Sequence, residues 1–124
     1  MLNDQKIIIT GSTSGIGKAM ATAMLKAGAR VVINSNEPDM GSAALAELEE
    51  FGECHFIETD LSSVEACQAL VGAAFERLGG LDCLVNNAAS DVGGSFRDST
   101  VEDFAMTFDV NVRSSYFTSQ AFVR

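Results

Sequence analysis

Lys6-Ile7-Ile8-Ile9-Thr10-Gly11-Ser12-Thr13-Ser14-Gly15-Ile16-Gly17 is the stretch on which the reading of this chain turns. An apolar β-branched run meets a loop with glycines at 11, 15 and 17, and an amphipathic stretch begins at once beyond it. Ile16, Ala19, Met20, Ala23, Met24 and Ala27 recur at helical spacing and predict one apolar helix face. A strand that ends in a glycine turn and opens a helix makes a place for a phosphate group. Unpaired N–H groups and the positive end of the helix dipole point into the same small space. Gly11 permits the tight turn, while Gly15 and Gly17 let backbone approach a ligand and helix pack against strand. A bare strand-to-helix turn with no ligand could use the same glycines, so the rest of the chain has to decide.

Bulk properties narrow the choice. With 124 residues, 47% of them hydrophobic and one proline, the chain is expected to form a packed core within a single domain spanning 1–124. A net charge of −9 argues against nucleic acid or an anionic membrane surface as partner. No apolar run approaches the roughly 20 residues of a membrane span, and Met1-Leu2-Asn3-Asp4-Gln5 lacks a signal-peptide pattern, so a cytoplasmic location is expected. Cys54, Cys67 and Cys83 have no C-x-x-C spacing and read as buried reduced thiols. His55, the only histidine, lies in a strand pattern and reads as structural; no metal site is expected.

Further along, Ala29 to Asn34 reads as a buried parallel strand, and Ser35-Asn36-Glu37-Pro38 as the turn that ends it. Met40 to Phe51 reads as a helix with Ala44, Leu45 and Leu48 inward, and Cys54 to Thr59 as a third strand closing on Asp60-Leu61. Ser62 with Glu65 matches a capping box before a helix striped with Cys67, Leu70, Val71, Ala74, Phe75 and Leu78. Gly79-Gly80 ends it, and Leu81 to Asn86 is a fourth strand. A glycine-containing loop runs from Ser90 to Asp98. Ser99 with Glu102 repeats the cap spacing before a helix bearing Val101, Phe104, Phe108 and Val112, and Ser114 to Arg124 begins another. Strands alternating with helices imply a doubly wound parallel sheet in the order 3-2-1-4. Its ligand edge would lie beside the glycine loop, where Asp60, Asn86 and Asn87 end their strands.

Four of these segments, in this order, resemble the short-chain dehydrogenase/reductase family over essentially the whole chain. Thr10-Gly11-x-x-x-Gly15-Ile16-Gly17 is similar to the family's cofactor loop, and Asp60-Leu61 to its adenine-contacting segment. Asn86-Asn87-Ala88-Ala89 resembles its N-N-A-G motif, and Asn111-Val112 the start of its N-V segment. The resemblance implies a Rossmann-type α/β fold and a cofactor, NAD or NADP. It further implies pyrophosphate along Gly11, Ser12, Ser14, Gly15, Ile16 and Gly17, adenine at Asp60 and Leu61, and the nicotinamide ribose beside Asn87 and Ala88. The adenosine ribose would lie near Ser35 at the end of the second strand; Glu37 nearby would repel a phosphate and weighs toward NAD. Asn111 would be the first member of the family's Asn-Ser-Tyr-Lys set, holding a water in a proton relay.

Two departures stand out. The last residue of the N-N-A-G pattern is Ala89, and the family's catalytic serine, tyrosine and lysine are absent: Tyr116, the only tyrosine, is followed four residues later by Gln120. On this reading the chain is the N-terminal half of an oxidoreductase that exchanges hydride between nicotinamide and a small carbonyl or alcohol substrate, homo-oligomeric at full length and inactive as 124 residues alone. The alternative is a non-catalytic dinucleotide-binding or interaction module.

Overall fold

The computed structural model describes residues 1–90 and 95–124. Four strands form one parallel sheet: β1 (Lys6–Ile9), β2 (Arg30–Ser35), β3 (Cys54–Glu58) and β4 (Cys83–Val85), in the spatial order β3-β2-β1-β4. The helices are α1 (Gly15–Lys26), α2 (Pro38–Leu48), α3 (Val64–Leu78), α4 (Val101–Phe108) and α5 (Ser114–Val123). A 3-10 turn, Glu49–Phe51, extends α2, and a π-helical turn, Asp109–Arg113, joins α4 to α5. Part of the expected loop Ser90–Asp98 lies outside the described residues.

Alternation along the two central strands divides the core between the faces of the sheet. Ile7, Ile9, Val31 and Ile33 pack with Ala21 and Leu25 of α1 and Ala44 and Leu48 of α2. Ile8 and Val32 pack with Cys67, Leu70, Ala74 and Leu78 of α3 on the other face. Each such fully buried aliphatic side chain contributes about 1.5–3 kcal/mol, so β1 and β2 are the stable centre of the fold. Helix α5 lies against α3 through the small buried residues Ser114 and Thr118. Burial pushes the Cys54 thiol up to about 12 and also raises that of Cys67. At the end of the sheet away from the glycine loop, Arg30 holds Glu53 through two hydrogen bonds of 3.0 Å, and His55 joins the same carboxylate at 2.9 Å.

Several boundaries differ from the pattern in the sequence, each for a local reason. On α1 the buried line is Gly17, Ala21 and Leu25, whereas Ile16, Ala19 and Ala23 face outward. A hydrophobic pattern gives no weight to glycine, yet Gly17 is the point of closest approach and turns the helix accordingly. Ser62 does not cap α3, because its amide and hydroxyl both bond Asp60; Ser63 caps instead, accepting from the Ala66 amide at 3.2 Å. The cap of α4 is likewise one residue later, a reciprocal box between Thr100 and Asp103. Proline at its first turn lets α2 begin at Pro38, and its last residues tighten into the 3-10 turn. β4 pairs only over Cys83–Val85, against Ile7–Ile9 of β1. Phe75 of α3 is 56% exposed, and α4 buries none of its residues.

Candidate functional site

The site is built at the ends of β1, β2, β3 and β4 that carry the loops into the helices. Beyond Ile9, Thr10 is buried, and its hydroxyl accepts from the amides of both Asn87 and Ala88 at 3.0 Å. The Asn87 side chain donates to the Gly11 carbonyl at 2.9 Å. The loop after β4 is thereby fastened to the glycine loop by three bonds from two elements. From the other side comes Asn34, fully buried at the end of an apolar strand. Its side-chain oxygen accepts from the Gly11 amide at 3.2 Å, and its nitrogen donates to the Ile57 carbonyl at 3.1 Å. Its backbone exchanges bonds with Ser12: the Ser12 amide donates to Asn34 at 2.8 Å, and the Asn34 amide to the Ser12 hydroxyl at 3.0 Å.

This bracing leaves the opening turn of α1 free. Ser14, at its N-cap position, makes no side-chain cap bond, and the first intrahelical bond runs from the Lys18 amide to the Ser14 carbonyl at 3.1 Å. The amides of Gly15, Ile16 and Gly17 therefore have no partner within the helix. A Cβ on Gly17 would come within 2.5 Å of the Gly11 carbonyl oxygen and 2.6 Å of the Asn87 side-chain nitrogen. A Cβ on Gly11, where φ is +59°, would come within 2.7 Å of the Ala88 Cα. At Gly15, where φ is +56°, a Cβ would meet nothing within 4 Å. The loop is thus packed to the limit beneath and open above.

Above it lies a cleft of about 620 Å³. Gly11, Ser14, Ile16, Ser35, Asp60, Leu61, Asn87 and Ala88 line it together. Gly15 and Gly17 form the helix turn at its floor, and Ser12 lies beneath, buried, with its hydroxyl also donating to the Ile9 carbonyl at 2.6 Å. Ser35 accepts from the Glu37 amide at 3.0 Å, which holds Asn36 and Glu37 at the rim. Among the described lining residues the charged ones are Glu37 and Asp60. Hydrogen bonds from the Ser62 hydroxyl, and then from its amide, hold the Asp60 carboxyl below its usual range.

Asn111 is on the π turn, and both polar atoms of its side chain are committed to Ser90. Its oxygen accepts from the Ser90 amide at 2.6 Å, and its nitrogen donates to the Ser90 carbonyl at 2.9 Å. Helical insertions of this kind recur at functional sites. Sequence reasoning gave no role to Asn34, Met106 or Val110, all of which line the cleft. The one signal for Asn34 is an amide in register with three buried aliphatics. Met106 and Val110 come from a helix whose packing the sequence could not place. Among the described residues no cluster of three or more acidic, cysteine or histidine side chains could hold a metal, and no helix is long and apolar enough to cross a membrane.

Comparison with known proteins bears on the family and the fold. A family model described as short chain dehydrogenase matches residues 5–124. L-rhamnose 1-dehydrogenase (NAD(P)(+)) of Azotobacter vinelandii is 38% identical over 129 residues, covering 100% of this chain and 50% of that protein. A short chain dehydrogenase from Burkholderia cenocepacia, solved in complex with NADP, superposes with a TM-score of 0.94 at 34% identity over 99% of this chain and 51% of its own. An NADH-dependent reductase solved with NAD gives a TM-score of 0.89 at 34% identity, covering 98% of this chain and 52% of its own. The chain spans about half the length of the relatives it matches.

Proposed function

The chain belongs to the short-chain dehydrogenase family, and on that premise we propose that the protein is an NAD(P)-dependent oxidoreductase moving hydride between nicotinamide and a carbonyl or alcohol carbon. The observation that carries the proposal is the uncapped first turn of α1, open to the cleft above and closed by Gly11 and Asn87 below. That arrangement fits a diphosphate: the amides of Gly15, Ile16 and Gly17 donate, and the helix dipole adds its positive end. Asp60 and Leu61 would flank the adenine, and Asn87 and Ala88 the nicotinamide ribose. When bound, the dinucleotide supplies the redox chemistry, and the protein's part is to hold and orient it. Asn111, already anchored on Ser90, would hold the relay water.

Between the two cofactors the cleft favours NAD. Among the described residues its charged side chains are two carboxylates, so the additional phosphate of NADP would meet Glu37 and Asp60 with no described cation beside them. The partner is a small carbonyl or alcohol compound, with neither nucleic acid nor membrane involved, and the free thiols suit the cytoplasm. Exposed apolar residues on α4 and beyond it, including Phe104 at 65% and Val112 at 55%, support pairing of the protein with its own copies.

Titration of the 124-residue chain with NADH and NADPH, followed by nicotinamide fluorescence, tests the reading. Saturable binding, tighter for NADH, is expected; binding of neither would sink it. A second reading, a dinucleotide-binding module without catalysis, is favoured by one feature: Tyr116 has Gln120, not lysine, four residues on. The 124-residue chain alone is accordingly expected to show no oxidation of NAD(P)H, whichever ketone is supplied. Ketone-dependent oxidation by the pure chain would remove that second reading.

A further inference from the structure

Helix α4 buries none of its residues, yet its Met106, with Val110 of the π turn that follows, lines the cleft. Two side chains of the π turn fasten it there, and they are two residues apart, on opposite sides of a helical segment. Asn111 holds Ser90 on one rim. Arg113 reaches the other: its guanidinium donates to the Ser62 carbonyl and is paired with Asp109 at 3.3 Å. Ser62 is itself the residue whose amide and hydroxyl both grip Asp60, at 3.0 and 2.6 Å. The connection runs from Asp109 through Arg113 and Ser62 to the wall formed by Asp60 and Leu61.

We infer that Arg113 is a positioning residue for the adenosine side of the cleft, acting through Ser62 on Asp60 and Leu61. The inference rests on the reading of the cleft as a dinucleotide site. Nothing else on the π turn reaches this wall among the described hydrogen bonds, and a hydrogen bond from a charged donor is the stronger kind. Without the guanidinium, Ser62 keeps its bonds to Asp60 but loses its tie to the element across the cleft. The wall then gains freedom that a ligand must remove on binding.

Calorimetric titration of the chain and of Arg113→Ala with ADP and with NADH tests this, together with hydrogen exchange at residues 60–63. The expected result is a Kd about tenfold higher for both ligands, with faster exchange confined to that loop and the Arg113→Lys variant recovering part of the affinity. Unchanged Kd values in a folded Arg113→Ala variant would overturn the inference, as would exchange that quickens evenly through the chain. If Arg113→Ala does not fold, Arg113→Lys is read alone: a severalfold weaker Kd supports the role and wild-type affinity refutes it. An unmodified chain that binds neither ADP nor NADH would instead remove the dinucleotide reading, and this inference with it.

Discussion

The glycine loop and the helical segment 101–113 face each other across the same cleft and are built on opposite terms. Around the loop, Thr10, Ser12 and Asn34 are buried and each makes bonds to a second element. Facing it, α4 leaves Val101 81% exposed and Phe104 65% exposed, and the π turn is tied down by the side chains of Asn111 and Arg113. The first region is fixed by packing that tolerates almost no added atom. The second is fixed by a few polar ties over apolar surface that none of the described residues covers. A cofactor bound between them would meet one rigid wall and one that, among the described residues, is held by the side chains of Asn111 and Arg113.

The sharpest way to break that contrast is to add a methyl group to the rigid side. Gly17→Ala places a Cβ 2.5 Å from a carbonyl oxygen in a region that cannot give, and a loss of about 2–3 kcal/mol in urea unfolding is expected. NADH binding should be lost as well. Gly15→Ala is the control, since its Cβ meets nothing within 4 Å and only the positive φ resists it, at about 1 kcal/mol. Equal losses at the two positions would show that the close approach at Gly17 costs no more than the positive φ at Gly15.

Next in size comes Asn34→Ala. It removes the acceptor of the Gly11 amide and the donor to the Ile57 carbonyl while leaving both partly buried. About 1–2 kcal/mol of stability should go, and Asn34→Asp should not restore it, because a carboxylate cannot donate to Ile57. Full stability in Asn34→Ala would mean that the loop keeps its shape without the strand beside it.

The strand order and the helix openings were legible because alternation, glycine turns and cap residues are local signals. The face of α1 was not, because Gly17 contributes closeness rather than hydrophobicity and the pattern pointed instead to Ile16, which is 75% exposed. Both caps were displaced by one residue for a related reason. At Ser62, the neighbouring Asp60 takes the side chain and amide first, a competition that spacing alone does not reveal. The motif residues of the cleft were legible through their resemblance to a family, whereas Asn34 and Arg113 were not. Their partners, Ile57 and Ser62, are 23 and 51 residues away in the chain, so only the fold discloses the pairing.

The smallest expected effect belongs to the loosely held side and separates its two possible meanings. Phe104 and Phe108 stack on each other with ring centroids 4.6 Å apart, on a helix whose apolar face is open. Within one molecule Phe104→Ser removes an i,i+4 pair worth about 0.2–0.5 kcal/mol, and unfolding in dilute solution should shift by no more than that. If copies of the protein associate through this face, the same substitution acts on a buried surface, and its effect must then grow with protein concentration. Unfolding midpoints measured over a hundredfold range of concentration, beside sedimentation of both forms, distinguish the cases. A loss above about 1.5 kcal/mol that is independent of concentration would contradict the exposed placement of α4 and, with it, the picture of a cleft with one unsupported wall.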